Sequence, residues 1–441
     1  MSDSLQDILL VSSEDGFEAR LGELRRTMLS AARLAGYDSK ENQTVTTILR
    51  EVAERGDAAV ARYTEKFDGV TLATGEFRVA REAMKEAHSQ LDTNLLEALR
   101  KAIRNVRDYQ QKIFIGNQQQ FSQGTGIRYT PIRRVGICVP GAAAPLPSTV
   151  IMTVVPAQVA GVKEIAVVSP PRHKGSIHPV ILALCHELRV EEVYRIGGVQ
   201  AVGALACGTR TIAKVDKIAG PGNKWVQAAK KNVAGDYVGI DSIAGPSEVL
   251  IIANGAADPA WVAADMLSQA EHGTDSSAIV LTDSQPVAAA ILEQLREQLK
   301  TLPRAREAAE SLSRFSRIIV VKDMDTALEL ADEFACEHLE VQCGADSRRI
   351  AERISNAGAI FIGPHTPVAV GDYWAGPSHT LPTGARAKFS SALTCNDFVK
   401  SISLIEYSAE QLAAAADDII RLAEVEGLDA HARSVQIRRP Q

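Results

Sequence analysis

The sequence predicts an α/β protein with two Rossmann-like parallel-sheet domains, an N-terminal helical arm and a C-terminal helical tail. From Arg134 onward, short runs of β-branched residues alternate with stretches of helical hydrophobic periodicity. That alternation is typical of a parallel sheet with helices packed on it. The pattern starts again beyond Asp241, so we expect two α/β units of similar size. A chain of 441 residues is long enough for both units and a large core.

Residues 1–130 are predicted to form the helical arm. Apolar residues recur near helical spacing from Val45 to Phe67. A second helix follows a cap at Asp92 or Thr93, and it carries an apolar stripe opposite a face of Arg and Lys. Residues 116–130 are rich in Gln and Gly, and we interpret them as a connection.

The two α/β domains are expected at residues 131–243 and 244–407. In the first, the predicted strands are Val135–Val139, Glu164–Val168, Val193–Ile196 and Val215–Ile218, and the predicted helices are Thr149–Ala160, Pro179–Leu188, Gln200–Ala206 and Lys224–Val233. In the second, the predicted strands are Val249–Ile252, Ala278–Thr282, Ile318–Val321 and Ala359–Ile362, with helices between them. The tail, residues 408–441, has a helical stripe that ends at Gly427.

Composition argues against several classes of protein. The formal net charge is -6 and no basic stripe is present, so a nucleic-acid partner is not expected. Six cysteines without a Cys-x-x-Cys pair favour a reducing compartment over a disulfide or zinc-finger framework. The most apolar stretch, Val150 to Val162, is too short to span a bilayer, and the N-terminus lacks a signal-peptide pattern. We therefore expect a cytoplasmic protein without a membrane partner.

Three glycine-bearing loops follow predicted strands of the first domain. They are Val139-Pro140-Gly141, Gly197-Gly198-Val199-Gln200 and Ala219-Gly220-Pro221-Gly222-Asn223. Ligands bind at the carboxyl ends of parallel strands, and backbone N–H groups in such loops can approach a dinucleotide pyrophosphate. None of the loops has the Gly-x-Gly-x-x-Gly spacing, and a tight turn without a ligand explains any one of them at least as well.

Gln269 and His272 are the first candidates for a cation site. They lie three residues apart at the end of a predicted helix that opens near Pro259 after Asp258, so they share one face. A Gln oxygen and an imidazole nitrogen there can both reach one cation, and the partial negative charge of a helix C-terminus favours it. An isolated Gln-x-x-His is more often a plain polar helix end, so this hypothesis depends on other clusters.

Asp372 and a second imidazole would complete the cation site. Asp372 and His379 share a loop rich in Gly and Pro, whereas Glu426 and His431 lie in the tail. A Gln oxygen, two imidazoles and a carboxylate form a mixed N/O set without a thiolate. That set fits zinc or a similar divalent metal with open positions for a substrate. Spacing alone does not choose between His379 and His431.

Glu337 and His338 are candidates for proton transfer. A carboxylate beside an imidazole can activate water while the imidazole takes a hydroxyl proton. Ser247 places a further hydroxyl just before the predicted strand at Val249. Without context, an adjacent Glu and His are more often an ordinary solvated pair.

Taken together, these clusters resemble the histidinol dehydrogenase family. The resemblance runs from about Arg134 to Arg438, and several long motifs in the same order are far more specific than any one of them. The motifs are Val139-Pro140-Gly141, Ala144-Pro145-Leu146-Pro147-Ser148-Thr149, Ala219-Gly220-Pro221-Gly222-Asn223, Ala244-Gly245-Pro246-Ser247-Glu248-Val249, Ser268-Gln269-Ala270-Glu271-His272, Glu337-His338-Leu339-Glu340, Gly371-Asp372-Tyr373, Ala375-Gly376-Pro377 and Glu426-Gly427-Leu428-Asp429-Ala430-His431.

The resemblance implies a zinc-containing, NAD-dependent homodimer that oxidises L-histidinol to L-histidine, via histidinal, in the last steps of histidine biosynthesis. It implies one Zn²⁺ per subunit, bound by Gln269, His272, Asp372 and His431. It makes Glu337 and His338 the proton-transfer residues. The implied substrate contacts are Ser247, Gln269, His272, His338, Asp372, Glu426 and His431.

The resemblance also assigns residues to the cofactor and to the dimer. Gln200 and Asn223 match cofactor-binding positions, and Cys138 stands where the family commonly has a Tyr beside the cofactor. In this family the tail crosses to the partner subunit, so Glu426 and His431 would complete the other chain's site. Two further departures are Ala142, where a second Gly is common, and Cys336, where Pro is usual.

Two other functions remain open at this point. A paralogous dehydrogenase could use the same zinc site for another small polar alcohol, although the carboxylate of Glu426 suits an amine-bearing substrate. The second alternative is a zinc-binding assembly protein without catalytic activity. That function would not explain why Glu337 and His338 are adjacent. It also predicts that no alcohol reduces NAD.

Overall fold

The computed structural model describes residues 5, 7–32, 39–118, 120–141 and 145–439. Its strands are β1 (Leu9–Val11), β2 (Gln120–Ser122), β3 (Thr125–Pro131), β4 (Arg134–Cys138), β5 (Glu164–Val168), β6 (Glu192–Tyr194), β7 (Lys217–Ala219), β8 (Gly239–Ile240), β9 (Glu248–Ala253), β10 (Ser277–Thr282), β11 (Arg317–Val320), β12 (His338–Gln342), β13 (Ala359–Ile362) and β14 (Val399–Ile405). Its helices are α1 (Phe17–Ala32), α2 (Lys40–Arg55), α3 (Asp57–Asp68), α4 (Arg81–Ser89), α5 (Thr93–Ile113), α6 (Pro147–Val159), α7 (Pro179–Glu187), α8 (Gly198–Cys207), α9 (Lys224–Val233), α10 (Pro259–Ala270), α11 (Gln285–Leu299), α12 (Ala305–Phe315), α13 (Met324–Phe334), α14 (Ser347–Ala351), α15 (Val368–Tyr373), α16 (Ala409–Val425) and α17 (Asp429–Gln436). Ala142 and Ala144 of the first predicted glycine loop lie outside the described residues.

Two parallel sheets organise the described chain. The first has the order β6-β5-β4-β7-β8, and the second has the order β1-β11-β10-β9-β12-β13. Every strand pair within these two sheets is parallel. The predicted α/β class, with two parallel sheets and helical ends, is therefore confirmed. The N-terminal arm also supplies β1, which pairs with β11 at the edge of the second sheet.

The helical predictions hold where both a periodic pattern and a cap are present. Asp92, one of the two predicted caps, accepts a hydrogen bond from the backbone N–H of Leu95 and starts α5. Asn223 caps α9, whose predicted bounds match the structure. The apolar stretch that begins at Val150 lies in α6, which is buried against the first sheet. No helix among the described residues is long and apolar enough to cross a membrane.

Besides β1 and the short β8, two further parts of the fold differ from the sequence prediction. Residues 116–130 were expected to be a connection, but they contain β2 and β3, which form an antiparallel sheet with β14. These strands are largely exposed, so they lack the apolar alternation by which a strand is detected. β12 was also missed, because three of its five buried residues are polar.

Arg134 holds the start of three strands of the first sheet together. Its guanidinium donates two hydrogen bonds of 2.8 Å to Glu192 and one of 3.0 Å to Glu164. The hydrogen bonds from Arg134 lower the pKa of Glu192 to about 2. Because the pKa of Glu192 is depressed on folding, its contribution to stability is complete above the ordinary carboxyl pKa. That contribution is lost as the pH falls through the folded value.

We expect Glu192→Gln to lower the free energy of unfolding by about 2–4 kcal/mol at neutral pH, because the buried guanidinium loses its main counter-charge. The deficit should shrink as the pH falls below the ordinary carboxyl range. Denaturant unfolding of both proteins at about pH 7 and about pH 3 measures it. Glu191→Gln, which changes an exposed carboxylate, is the control. An equal deficit of Glu192→Gln at both pH values would contradict this account.

Candidate active site and cofactor cavity

A cavity of about 480 Å³ opens at the carboxyl edge of the first sheet. Its lining includes Cys138, Gln200 and Asn223, the residues predicted to contact a cofactor. Parallel strands end at one edge, so the loops after β4, β6 and β7 converge there. Gly198 has a φ of +66°, and a Cβ on it would lie 2.8 Å from Oε1 of Gln200. This turn therefore requires glycine, and the bare backbone of the loop faces the cavity.

Gln200 is the polar residue in this cavity that most clearly lacks a partner. It is fully buried, and neither Nε2 nor Oε1 has a hydrogen bond within the described chain. Such an amide is costly to bury unless a ligand or water satisfies it. Asn223 already accepts hydrogen bonds from the backbone N–H groups of Trp225 and Val226 as the cap of α9. Burial raises the pKa of Cys138 to about 12, so its thiol is neutral.

A second cavity, of about 570 Å³, shares Gly222, Asn223 and Trp225 with the first. It extends to Ala244, Gly245 and Pro246, which come directly before Ser247. The space beside the first sheet thus leads toward the polar residues at the start of β9.

The backbone of Glu248 joins the two candidate proton carriers. Its N–H donates to Oε2 of Glu337 at 2.9 Å, and its carbonyl oxygen lies 3.0 Å from Nδ1 of His338. Ser247 adds a side-chain hydrogen bond to Glu337. Because β9 and β12 are neighbouring parallel strands with His338 opposite Val249, this arrangement follows from the sheet register. The structure thus brings Ser247, Glu337 and His338 together.

Burial shifts the pKa values of Glu337 and His338 in opposite directions. It lowers the pKa of His338 to about 3, so the ring is neutral at physiological pH. Nδ1 then donates its hydrogen to the Glu248 carbonyl, which leaves Nε2 as the acceptor nitrogen. Nε2 has no hydrogen-bond partner among the residues that the structure describes, and it lies 3.9 Å from Oδ1 of Asp372. Burial raises the pKa of Glu337 well above its usual value, so its carboxylate is a stronger base than usual.

Gln269 lies in the last turn of α10, which Asp258 caps by accepting from the backbone N–H of Ala260. The Gln269 side chain is almost fully buried, and both its amide atoms lack a partner in the described part of the chain. The helix ends at Ala270, so His272 lies in the turn that follows. Burial lowers the pKa of His272, which keeps its ring neutral and able to bind a cation.

Asp372 lies in α15, and its Oδ1 is 3.9 Å from Nε2 of His338. A Cβ on the preceding residue, Gly371, would lie 2.6 Å from the ring of Phe361, so only glycine allows α15 this close to β13. The Phe361 ring in turn packs 5.8 Å from that of His338. Burial raises the pKa of Asp372 to about 6, as expected for a carboxylate that lacks a nearby cation.

The remaining predicted site residues do not join this group within one chain. Glu426 and His431 are exposed at the α16–α17 turn and in α17. Across the described residues, no group of three or more His, Cys, Asp or Glu side chains is arranged to hold a metal ion. His379 is closer, since its charge would interact with those of His272 and His338.

Sequence reasoning missed three acidic residues around this site. Glu248 was quoted within a motif but given no role, although its backbone bridges Glu337 and His338. Asp265 and Glu340 form a buried carboxyl pair. The signal was available, because Asp265 lies one helical turn before Gln269, and Glu340 lies two strand residues after His338.

Comparison with known proteins places the chain in a family. The family model described as histidinol dehydrogenase matches residues 32–439, so the similarity begins well before Arg134. A histidinol dehydrogenase of Rhodopirellula baltica is 46% identical over 400 residues, covering 90% of this chain and 86% of the relative. One of Geobacillus kaustophilus is 44% identical over 423 residues, covering 94% and 96%.

A solved structure gives the same result. The crystal structure of histidinol dehydrogenase from Elizabethkingia anophelis has a TM-score of 0.88 and 34% sequence identity, and the match covers 95% of this chain and 96% of that chain. The sequence matches span nearly the whole length of their relatives, and the fold agrees over the same extent. This chain therefore belongs to the histidinol dehydrogenase family of oxidoreductases.

Proposed function

We propose that this protein oxidises L-histidinol to L-histidine, via histidinal, with NAD as the electron acceptor and one Zn²⁺ per subunit. The observation that carries the proposal is the set of buried polar atoms without partners. Gln269, His338 and Gln200 each present such atoms, and Gln200 does so in the cavity beside the first sheet, as far as the described residues show. Polar groups in these positions need a partner, which a bound ligand or water supplies.

The residues around Gln269 fit a zinc ion. An amide oxygen, an imidazole and a carboxylate come from Gln269, His272 and Asp372, and His431 of a partner subunit would supply the fourth donor. When bound, zinc would orient the alcohol by holding the imidazole and amine of histidinol. The buried, unpartnered amide of Gln269 favours a bound cation.

His338 is proposed to accept the hydroxyl proton of the alcohol. Its Nδ1–H is fixed on the Glu248 carbonyl, so Nε2 carries the free lone pair. Glu337 would then remove a proton from the water that adds to the aldehyde. Ser247 and the Glu248 N–H hold its carboxylate in place. We assign substrate contacts to Ser247, Gln269, His272, His338, Asp372, Glu426 and His431.

The cavity beside the first sheet is proposed to bind NAD, which accepts hydride in both oxidation steps. The side-chain amide of Gln200 would hydrogen bond to the cofactor. Asn223 lies where the cavity continues toward Ser247. Cys138 would contact the same ligand as a small neutral side chain.

We propose a homodimer in which each tail completes the partner's site. Leu422 and Val425 on α16 are 67% and 82% exposed, which is unusual for large apolar side chains. Glu426 and His431 lie on the same exposed helical pair. A partner subunit that covers these residues would bury the apolar surface and bring both polar residues to its own pocket.

The direct test of this function is spectrophotometric. The zinc-loaded protein is incubated with L-histidinol and NAD, and the NADH and histidine formed are both quantified. We expect two NADH per histidine and loss of activity with a chelator. A protein that reduces NAD only with another alcohol would be a paralogous dehydrogenase. A zinc-binding protein that reduces no NAD would contradict the proposal outright.

Gln200→Leu should weaken cofactor binding specifically. The leucine fills nearly the same volume but offers no hydrogen bond, so we expect the KM for NAD to rise about tenfold, with little change in the KM for histidinol. Steady-state kinetics with each substrate varied in turn measures this difference. Gln110→Leu is a matched control, because Gln110 is equally buried but does not line this cavity, and its Oε1 accepts a hydrogen bond from the backbone N–H of Cys395. Equal rises for both substrates would argue against a cofactor contact.

A further inference from the structure

Behind the proposed metal ligands lies a buried acidic pair, Asp265 and Glu340. Both side chains are almost wholly buried, and their carboxyl groups hydrogen bond to each other. Two carboxyl groups can do so only when one keeps a proton. Burial raises the pKa of both carboxyl groups, so the pair keeps one shared proton. The pair is thus an ordered hydrogen bond and not a repulsive contact.

Glu340 also reaches the helix that carries Asp372. Its Oε1 accepts a hydrogen bond of 3.0 Å from the backbone N–H of Val368, the first residue of α15. Its Oε2 accepts a weaker one, of 3.3 Å, from Nε2 of Gln342 on the same strand. The N–H of Val368 is one of the free donors of a helix start, and no side chain of α15 itself caps that end.

One carboxyl group therefore connects three elements of the site. Glu340 belongs to β12, two residues after His338, so the two side chains leave the strand on one face. Through Asp265 it contacts α10, one turn before Gln269. Through Val368 it contacts α15, one turn before Asp372.

We propose that Glu340, together with Asp265, is a positioning clamp that fixes the relative placement of the two helices carrying Gln269 and Asp372. This inference rests on the proposed zinc site. The clamp acts through its hydrogen bonds, so an isosteric amide at position 340 should replace it. Glutamine can donate to Asp265 through Nε2 and accept from Val368 through Oε1.

The test measures zinc retention directly. Full-length protein and its variants are loaded with Zn²⁺, and the rate of zinc loss to a chromophoric chelator is recorded. Mutating a residue that orients metal ligands without binding the metal typically lowers metal affinity by about 10–100-fold. We expect Glu340→Leu to lose zinc at least about tenfold faster than the unchanged protein and to raise the KM for histidinol more than it lowers kcat. Glu340→Gln should stay within about twofold of the unchanged protein.

Two further variants separate the clamp from general damage to the core. Gln342→Leu places a leucine on the same buried strand and removes the weaker contact. The Gln342 side chain has no recorded hydrogen bond to α10 or α15, so zinc retention should not change. Val368→Pro removes the N–H that Glu340 accepts, at a helix start where proline is tolerated. It is compared with Val368→Ala, because the Val368 side chain is itself buried. The zinc loss of Val368→Pro should be intermediate, and it tests the clamp even if Glu340→Leu does not fold.

Three results would overturn the clamp. They are zinc retention in a folded Glu340→Leu equal to that of the unchanged protein, unaltered retention in Val368→Pro, or a Glu340→Gln as defective as the leucine variant. The last would mean that charge, and not hydrogen-bond geometry, is what matters. An unchanged protein that fails to bind zinc or to oxidise histidinol would instead contradict the proposed function itself, so the two failures are distinguishable.

Discussion

Glu337→Gln is expected to keep zinc and histidinol binding but to lose most of its turnover, chiefly in the oxidation of the aldehyde. Glutamine has the same shape and can still accept the hydrogen bond from the Glu248 N–H, so the pocket should be preserved. It cannot take a proton from water. General base catalysis contributes about two to four orders of magnitude, and we expect kcat to fall by that amount.

Separate assays with histidinol and histidinal locate the defect. With histidinol, a first NADH should still form at a rate closer to normal, because we propose that His338 and not Glu337 accepts the alcohol proton. With histidinal, turnover should nearly vanish. Glu352→Gln, which neutralises an exposed carboxylate, is the control. A Glu337→Gln enzyme that converts histidinol fully to histidine at a normal rate would show that Glu337 does not activate water.

Deleting the chain after Gly427 is expected to abolish zinc retention. The deletion removes His431 and the whole of α17, but it leaves Gln269, His272 and Asp372 intact. Protein sites that retain zinc tightly usually have four ligands, and the deletion leaves only three. We expect the zinc content after dialysis to fall from about one ion per chain to nearly none.

A point variant and a control make this result specific to the imidazole. His431→Ala keeps α17 and should lose zinc as the deletion does. His173→Ala removes an imidazole from a distant loop of the first domain and should keep its zinc. Unchanged metal content in both the deletion and His431→Ala would rule out His431 as a ligand, and His379 would then be the candidate for the second imidazole.

The sequence predicted the first sheet well because its signals are local. The helix Lys224–Val233 follows the capping residue Asn223 and has one apolar face, so the cap and the apolar pattern predict the same helix start. The glycine-bearing loops after the strands were placed at one edge by the rule that ligands bind where parallel strands end, and the structure brings them to one cavity. The choice of Cys138, Gln200 and Asn223 as cofactor contacts came from the family resemblance.

The second sheet, which carries the candidate site, was harder to predict because its strand β12 carries polar residues inward. β12 presents His338, Glu340 and Gln342 to the interior, so it lacks the apolar pattern of a buried strand. The contacts of the Glu248 backbone with Glu337 and His338 depend on the register of β12 against β9, which local sequence does not contain. A contact between two copies of the chain, such as the one proposed for His431, lies outside any single-chain pattern.

Mixing two inactive variants tests most directly whether the tail of one chain completes the site of the other. His272→Ala and His431→Ala chains are combined in equal amounts, unfolded and refolded together with zinc, and then assayed for histidinol oxidation. If sites are shared, half of the dimers are hybrids and each hybrid has one intact site, so about a quarter of the normal activity should return. If each tail serves its own chain, both sites of every hybrid carry one defect, and the mixture would remain as inactive as the separate variants.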